Sequence, residues 1–104
     1  MRKLYLNGTK LKGDLSQLAP LRLLQCLSLA GTAVVGDVKA LAELLELTLL
    51  NLEGTAVGGD PQTAFWNHRK LTKLNLRGTR VDCASEADKN RLRQALPDQC
   101  RLAI

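Results

Sequence analysis

Leucines alternate with other residues in four short stretches that recur along the chain. The stretches 4–6, 27–29, 50–52 and 74–76 each read Leu-x-Leu, and they begin 23, 23 and 24 residues apart. Alternation with a period of two predicts a strand that buries one face. Recurrence at a fixed spacing of this size predicts a solenoid, in which each unit buries its apolar face against its neighbours.

A turn and a second apolar set follow each predicted strand. The turns carry Gly-Thr at residues 8–9, 31–32, 54–55 and 78–79. Leu or Val lies two residues after each threonine, and Gly-Asp completes the frame in the first three units. Beyond it, apolar residues three apart, as at Leu15, Leu18 and Leu21, predict a short helical or 3₁₀ segment that returns on the opposite side of the stack.

The combined frame, L-x-x-L-x-L-x-G-T-x-V-x-G-D, resembles the leucine-rich repeat, with threonine at the position that asparagine usually holds. The resemblance covers nearly the whole chain. It implies an α/β solenoid: a short right-handed leucine-rich-repeat stack with a parallel β-sheet on its concave face, short helical or 3₁₀ segments on its convex side and a C-terminal helical cap. It also implies that each threonine hydrogen-bonds to the backbone of adjacent coils. The preceding glycine permits a left-handed backbone geometry.

We expect a single domain over residues 1–104, with repeats over about 1–23, 24–46, 47–70 and 71–84 and the C-terminal cap over 85–104. Ser85, three residues before Asp88, approximates a helix-capping box. Leu92 and Leu96 form an apolar stripe, and Pro97 ends the predicted helix. Residues 100–104 then predict one last short strand. The cap reads as a natural end of the stack.

The third unit departs from the pattern. It is one residue longer than the first two, and Pro61 replaces the apolar residue that follows the aspartate. We expect Phe65 to take the core position that leucine holds in the earlier units. Trp66 is either a partly exposed anchor on the convex side or a residue packed against the last coil, and we favour packing. His68 has no partner of catalytic type nearby, so we expect it to be solvated on the convex side.

The N-terminal end differs from the C-terminal end. The first predicted strand has no preceding helix or loop to cover it, so Leu4, Leu6 and Leu11 would expose apolar surface and unpaired backbone. The chain is therefore either a segment of a longer solenoid or a molecule that pairs with another copy through this edge.

Composition narrows the possible functions. The net charge is +5, but aromatic residues make up 3% of the chain and the middle units carry few cations, which argues against nucleic acid. A short N-terminus before the first repeat leaves no room for a signal peptide, and no apolar run is long enough to span a bilayer. The three cysteines lack zinc spacing, which favours a cytoplasmic setting. Cys83 and Cys100 form either a disulfide or, as we favour, two small core residues, and Cys26 is a lone thiol.

The concave face is the predicted binding surface, because its outward side chains vary while the buried ones repeat. The candidate contact residues are Lys3, Tyr5, Asn7, Ser28, Leu49, Asn51, Glu53, Lys73, Asn75 and Arg77. The sequence indicates a non-catalytic module for a protein or peptide partner, with no cofactor, no metal and no catalytic residues. The alternative is a structural or regulatory segment of a larger leucine-rich-repeat protein. We expect Asp14, Asp37 and Asp60 to accept backbone hydrogen bonds in their own turns rather than hold cations.

Overall fold

Successive coils of the chain stack on one another in an elongated molecule of 34 × 25 × 18 Å. The computed structural model describes residues 2–83 and 85–104. Met1, which begins the first predicted repeat, and Ala84, which ends the fourth, lie outside the described residues. Along the chain the strands are β1 (Lys3–Tyr5), β2 (Lys12–Asp14), β3 (Cys26–Ser28), β4 (Ala33–Asp37), β5 (Leu49–Asn51), β6 (Ala56–Gly59), β7 (Lys73–Asn75), β8 (Arg80–Val81) and β9 (Arg101–Ala103).

The Leu-x-Leu segments form the predicted parallel sheet. Its strand order is β1-β3-β5-β7-β9, and each strand pairs in register with its counterpart in the next coil. The central leucine of every strand points into the stack, and Leu27, Leu50 and Leu74 are fully buried. Because the coils are alike, these leucines form a column of identical layers.

A second parallel sheet, which the sequence analysis did not predict, follows the Gly-Thr turns. Its order is β2-β4-β6-β8, and its strands lie in the segments that follow the Gly-Thr turns. In β4 and β6 a valine enters the core, as Val34 and Val57 do. The glycines in these segments hide the alternation on which the prediction of strands relies, so only the structure reveals the sheet.

Short helical segments return the chain on the convex side, as predicted. Two are 3₁₀ helices, Leu15–Leu18 and Val38–Leu41, and the third is a short α-helix, α1 (Pro61–Ala64). Each begins after an aspartate whose Oδ1 accepts the backbone N–H two residues later, at 2.9 Å. The prediction that Asp14, Asp37 and Asp60 bond within their own turns is therefore confirmed. Pro61 fits the first position of α1, where no backbone N–H is needed.

The role predicted for the Gly-Thr threonines is wrong. Each hydroxyl donates to the leucine carbonyl three residues earlier in the same turn, at 2.7 to 2.8 Å, and not to an adjacent coil. Because the leucine lies only three residues earlier, its carbonyl oxygen is within reach of the threonine hydroxyl inside the turn. Hydroxyl bonds between coils come from other threonines, since Thr48 donates to the Gln25 carbonyl and Thr72 to the Thr48 carbonyl, at 3.1 and 2.8 Å.

The glycine of each Gly-Thr pair connects the coils through its backbone. The N–H groups of Gly31 and Gly54 donate to Glu53 and Arg77 in the next coil, both at 2.9 Å. Both glycines have φ of +72°, a left-handed conformation that other residues adopt at a cost. In each turn, the glycine therefore joins neighbouring coils, while the threonine fixes the conformation of its own turn.

A longer helix, α2 (Glu86–Ala95), closes the last described coil, and β9 then pairs with β7. The Ser85 hydroxyl accepts the Asp88 backbone N–H at 3.1 Å, as the capping pattern predicts. Leu92 and Leu96 are buried against the stack. Cys83 and Cys100 are both free thiols, and burial raises the pKa of each. Within residues 2–83 and 85–104, no helix combines the length and apolar character needed to cross a bilayer.

Replacing Gly59 by alanine is expected to destabilise the fold more than the same change at Gly54. Both glycines have positive φ, but an alanine Cβ at Gly59 would collide with Asp37 Oδ1, whereas at Gly54 the nearest atom is 3.8 Å away. We expect Gly54→Ala to cost about 1 kcal/mol of unfolding free energy. Gly59→Ala should cost about 2 kcal/mol or more, because it also displaces the cap of the second 3₁₀ helix. Urea denaturation measures both costs.

An Asp37→Ala background provides the control. It removes the carboxylate that the new methyl group would meet, so the cost of Gly59→Ala should fall to that of Gly54→Ala. Equal costs in the wild-type background would contradict the close approach of Asp37 to Gly59.

Candidate functional site

The concave sheet presents its outward side chains in three rows that run across the strands. The strand register and the positions that follow it give the rows Lys3-Cys26-Leu49-Lys73-Arg101, Tyr5-Ser28-Asn51-Asn75-Ala103 and Asn7-Ala30-Glu53-Arg77. Neighbouring strands lie about 4.8 Å apart, so side chains within a row are adjacent. The structure therefore brings the ten sequence-predicted residues onto one continuous surface, which we call the concave face.

The predicted residues differ in how much surface they offer. The exposed ones are Lys3, Tyr5, Asn7, Glu53, Lys73 and Arg77, and the half-buried ones are Leu49, Asn51 and Asn75. Ser28 departs from the prediction, because it is 4% exposed and its hydroxyl donates to Asn7 Oδ1. The same Asn7 oxygen accepts the Ala30 backbone N–H at 3.0 Å. Ser28 thus stabilises the neighbouring coil and has little surface for a partner.

The other asparagines of the face also have a structural use. Oδ1 of Asn51 accepts the Glu53 backbone N–H at 3.1 Å, and Oδ1 of Asn75 accepts the Arg77 backbone N–H at 3.0 Å. These bonds fix the chain where each strand ends. They orient the exposed side chains of Glu53 and Arg77 at the edge of the face.

Positive charge concentrates at the C-terminal end of the concave face. Lys73 and Arg101 occupy paired positions on neighbouring strands, and both are exposed. Like charges at opposed positions in a sheet repel each other. No ion pair in the described part of the chain involves Lys73, Arg77 or Arg101. We call these three residues the basic corner.

Arg101 is a residue of this surface that the sequence prediction missed. The last strand was predicted, but its side chains were not assigned to the concave face. Aligning Arg101-Leu-Ala with Lys73-Leu-Asn would have found the residue, because both segments place leucine at the central, inward position.

Tyr5 is the aromatic side chain of the concave face and is 56% exposed. A side-chain hydrogen bond with Cys26, on the neighbouring strand, raises the pKa of the Tyr5 phenol above its ordinary value. Because the ordinary pKa is 10.0 and the shift is upward, the phenol is protonated at neutral pH. Cys26 itself also approaches Thr48, with its Sγ atom 3.6 Å from Thr48 Oγ1.

The predicted position of His68 is wrong. The side chain is 1% exposed, because it occupies the repeat position that Leu21 and Leu44 hold in the earlier coils. Counting back 24 residues, with allowance for the longer third unit, would have identified it as a core position. Its ring packs edge-on against Phe65, with ring centroids 5.2 Å apart. Phe65 is fully buried, as predicted.

The His68 ring has one bonded and one unbonded nitrogen. Nε2 lies 3.0 Å from the Leu41 carbonyl oxygen, which can only accept, so this nitrogen carries the proton of the neutral ring. Nδ1 has no hydrogen-bond partner among the described residues. Desolvation lowers the pKa of His68, and the hydrogen bond to Leu41 opposes that effect in part. The imidazole is therefore neutral at physiological pH.

Trp66 is exposed, so the packing that we favoured is wrong and the alternative holds. Its side chain is 65% exposed, and its repeat position corresponds to Ala19 and Ala42 in the earlier coils. A position that accommodates alanine at the surface has no core space for an indole ring. Trp66 instead borders a surface cavity of about 440 Å³ between residues 66–69 and the end of α2, at residues 94–97.

The described residues contain no group of three or more histidine, cysteine or acidic side chains that could hold a metal ion. Asp14 and Asp37 each use one carboxylate oxygen as a helix cap. Each also lies over a glycine of the next coil, Gly36 or Gly59, where a side chain would collide with it. The aspartate column is thus part of the packing between coils.

Comparison with known proteins places this geometry in a class. No family model matches the sequence, and a search of curated proteins found no match. A leucine-rich-repeat protein of Leptospira interrogans is 23% identical, with a TM-score of 0.75, over 100% of this chain and 25% of its own. The leucine-rich-repeat ectodomain of the Arabidopsis thaliana membrane receptor kinase GASSHO1/SCHENGEN3, solved in complex with CASPARIAN STRIP INTEGRITY FACTOR 2, is 29% identical, with a TM-score of 0.70, over 91% of this chain and 12% of its own.

These similarities agree with the repeat frame and with the two parallel sheets. The chain is a leucine-rich-repeat solenoid. It spans a quarter of the length of the Leptospira protein and about an eighth of the plant ectodomain.

His68 is expected to make stability depend on pH. The folded chain lowers the pKa of His68 below the ordinary value of 6.5, so the unfolded chain binds the proton more readily. The contribution of the neutral ring is complete above about pH 6.5 and falls as the pH drops towards the lowered value. Urea denaturation of the wild type and His68→Leu between about pH 7 and 5 should show the wild type losing stability relative to the variant.

Leucine is a suitable replacement at this position. It already occupies the corresponding site at Leu44, and the Leu41 carbonyl keeps its 3.1 Å bond from the Leu44 backbone N–H. Both proteins contain the same carboxylates, so the effect of their titration on the unfolding free energy cancels in the difference between the two proteins. A stability difference that stays constant over this pH range would contradict the assignment.

Proposed function

We propose that this chain is a non-catalytic protein-binding module whose concave face holds a segment of its partner. The observation that carries the proposal is the contrast between the two faces of the same strands. The inward leucines repeat in every coil, whereas the outward positions hold tyrosine, leucine, asparagine, glutamate, lysine and arginine. Packing dictates the inward residues and leaves the outward residues to be set by contacts with a partner.

The composition of the concave face favours an acidic partner segment with apolar side chains. Association with carboxylates would relieve the repulsion between Lys73 and Arg101. Leu49 and Tyr5 lie further along the face and offer apolar surface for side chains between those carboxylates. Glu53 is the single carboxylate in the three rows, so an acidic segment meets little opposition.

The strands provide a rigid platform for this interaction. Their ends are fixed by the asparagine bonds, so little conformational freedom would be lost when a partner binds. The plant receptor ectodomain, which has a similar fold, was solved as a complex with CASPARIAN STRIP INTEGRITY FACTOR 2. That complex supports a binding role for this fold, without indicating which partner this chain recognises.

A nucleic acid is a less suitable partner than a protein. Tyr5 is the one aromatic residue in the three rows of the concave face, whereas proteins that bind single strands stack successive bases on aromatic rings. A structural role within a larger leucine-rich-repeat protein is the alternative. It predicts no ligand for the concave face.

Reversing the charge of the basic corner should abolish selected binding. Peptides selected from a random displayed library against the chain should be enriched in acidic and apolar residues. Lys73→Glu, Arg77→Glu and Arg101→Glu together should weaken their binding by at least about a hundredfold, measured by fluorescence anisotropy, since three favourable charge contacts become repulsive. Wild-type affinity should also fall with increasing salt.

A variant with the same net charge provides the matched control. Lys10→Glu, Arg22→Glu and Lys39→Glu change three exposed cations outside the rows and should leave the affinity nearly unchanged. Circular dichroism checks that both variants are folded. Equal loss in the two variants, or failure of the selection to yield concave-face binders, would argue against the proposed site.

We also propose self-association through the N-terminal edge of the two sheets. Among the described residues, strands β1 and β2 each have one side without a partner strand, and Leu4, Leu6 and Leu11 border an apolar cavity of about 130 Å³ beside them. Unpaired edges of this kind pair readily with another chain. Lys3 and Lys12 lie on the same strands, so two copies meeting here would repel each other electrostatically.

The repulsion between these lysines determines how association should respond to salt. Sedimentation velocity at several protein concentrations should show the dimer fraction rising between 0.05 and about 0.5 M NaCl, because salt screens the lysines but not the apolar contact. Leu11→Glu should reduce the dimer fraction at all salt concentrations. Leu45→Glu, at an exposed position of the second coil, is the control. A chain that stays monomeric throughout would exclude this association.

A further inference from the structure

We propose that the convex cavity beside Trp66 binds a small organic acid that has an apolar or aromatic body and one carboxylate. The cavity lies between residues 66–69, after α1, and residues 94–97, at the end of α2. It is on the opposite side of the coils from the concave sheet. The site is therefore independent of the protein-binding function proposed above.

The apolar part of the ligand would lie against Trp66. This indole ring is 65% exposed at a position where the earlier coils carry alanine. Gln94, Ala95, Leu96 and Pro97 also line the cavity, at the end of α2. The exposed indole favours a flat apolar body, because aromatic rings bury a large area in a defined geometry. The cavity volume of about 440 Å³ lies within the range of small-molecule sites.

Arg69 gives the cavity its preference for a negative charge. It is the single charged residue in the cavity wall, and its side chain is exposed. Its Nε donates to Asn67 Oδ1 at 3.4 Å, and no ion pair in the described residues involves it. A guanidinium binds a carboxylate with two parallel hydrogen bonds. Arg69 is thus placed to hold the acid while Trp66 contacts its body.

The backbone on both sides of the cavity is held in place before any ligand binds. Buried His68, next to Trp66 and Arg69, bonds to the second coil through Nε2. On the other side, Leu96 is 5% exposed, and its backbone N–H bonds to the Leu92 carbonyl at 3.2 Å. Gln62 of α1 also contacts α2, with its Nε2 3.5 Å from the Asp88 carbonyl oxygen. A preformed site loses little entropy on binding.

Trp66 can itself report the binding of a ligand to this site. Trp66 is the sole tryptophan of the chain, so intrinsic tryptophan fluorescence reports on this cavity alone. The probe is 3-phenylpropionate, and 3-phenylpropanamide is the matched neutral compound. Titration with the acid should change the fluorescence, and the acid should bind at least about tenfold more tightly than the amide, as one charge-assisted pair allows.

Two arginine variants test the assignment. Arg69→Gln should reduce the affinity for the acid to that for the amide, and it should leave the affinity for the amide unchanged. Arg22→Gln alters the corresponding position of the first coil and should behave as the wild type. Backbone NMR shifts caused by the acid should map to residues 66–69 and 94–97.

Three results would overturn the proposal. The first is the absence of any change in fluorescence or NMR shifts up to the solubility limit of the acid. The second is equal affinity of acid and amide, or of wild type and Arg69→Gln. The third is tighter binding at these residues by a short peptide ending in a free leucine carboxylate, which would assign the cavity to protein termini instead of small acids.

Discussion

Every other feature of the molecule depends on the backbone pairing between successive coils. In the concave sheet, strands β1, β3, β5 and β7 pair in parallel with a shift of 23 or 24 residues, so each strand residue lies beside its counterpart in the next coil. Counterparts must therefore be compatible in shape. The Gly-Thr turns stack closely, since a methyl group added at Gly78 would come into van der Waals contact, at 3.4 Å, with the backbone nitrogen of Gly54. Repetition in the sequence is the consequence of this one constraint.

The repeat predicted those elements whose residues serve the same purpose in every coil. The Leu-x-Leu strands, the convex helical segments and the aspartate caps are local patterns with a direct physical meaning, and the structure has them. The second sheet was missed because Gly36 and Gly59 interrupt its apolar alternation. The threonine bonds were misassigned because the spacing reveals that a hydroxyl is needed in the turn, but not which of two nearby carbonyls it reaches.

In the third unit, a single added residue explains why the environments of two side chains were predicted wrongly. Its extra residue shifts the following side chains by one place relative to the first two units, so His68 aligns with Leu44 and Trp66 with Ala42. Judged by residue type, histidine belongs at the surface and tryptophan in the core. Position in the coil is the stronger determinant. The position of Leu44 lies in the core, so His68 is buried there, whereas the position of Ala42 has no space in the core for an indole ring. The two residues consequently exchange the environments that their chemistry would suggest.

Both proposed sites occur where the repetition weakens, and the stacking explains why. Within the regular coils, a side chain that contacts its counterpart must suit the next coil as well as its own. At the C-terminal end this requirement is relaxed, because α1 of the third unit packs against α2 and β7 of the fourth unit pairs with β9, instead of with another full repeat. Lys73 beside Arg101 on the concave side, and Arg69 beside Trp66 on the convex side, are combinations that no earlier coil contains. Neither combination improves the packing, which is the physical ground for assigning them to ligands.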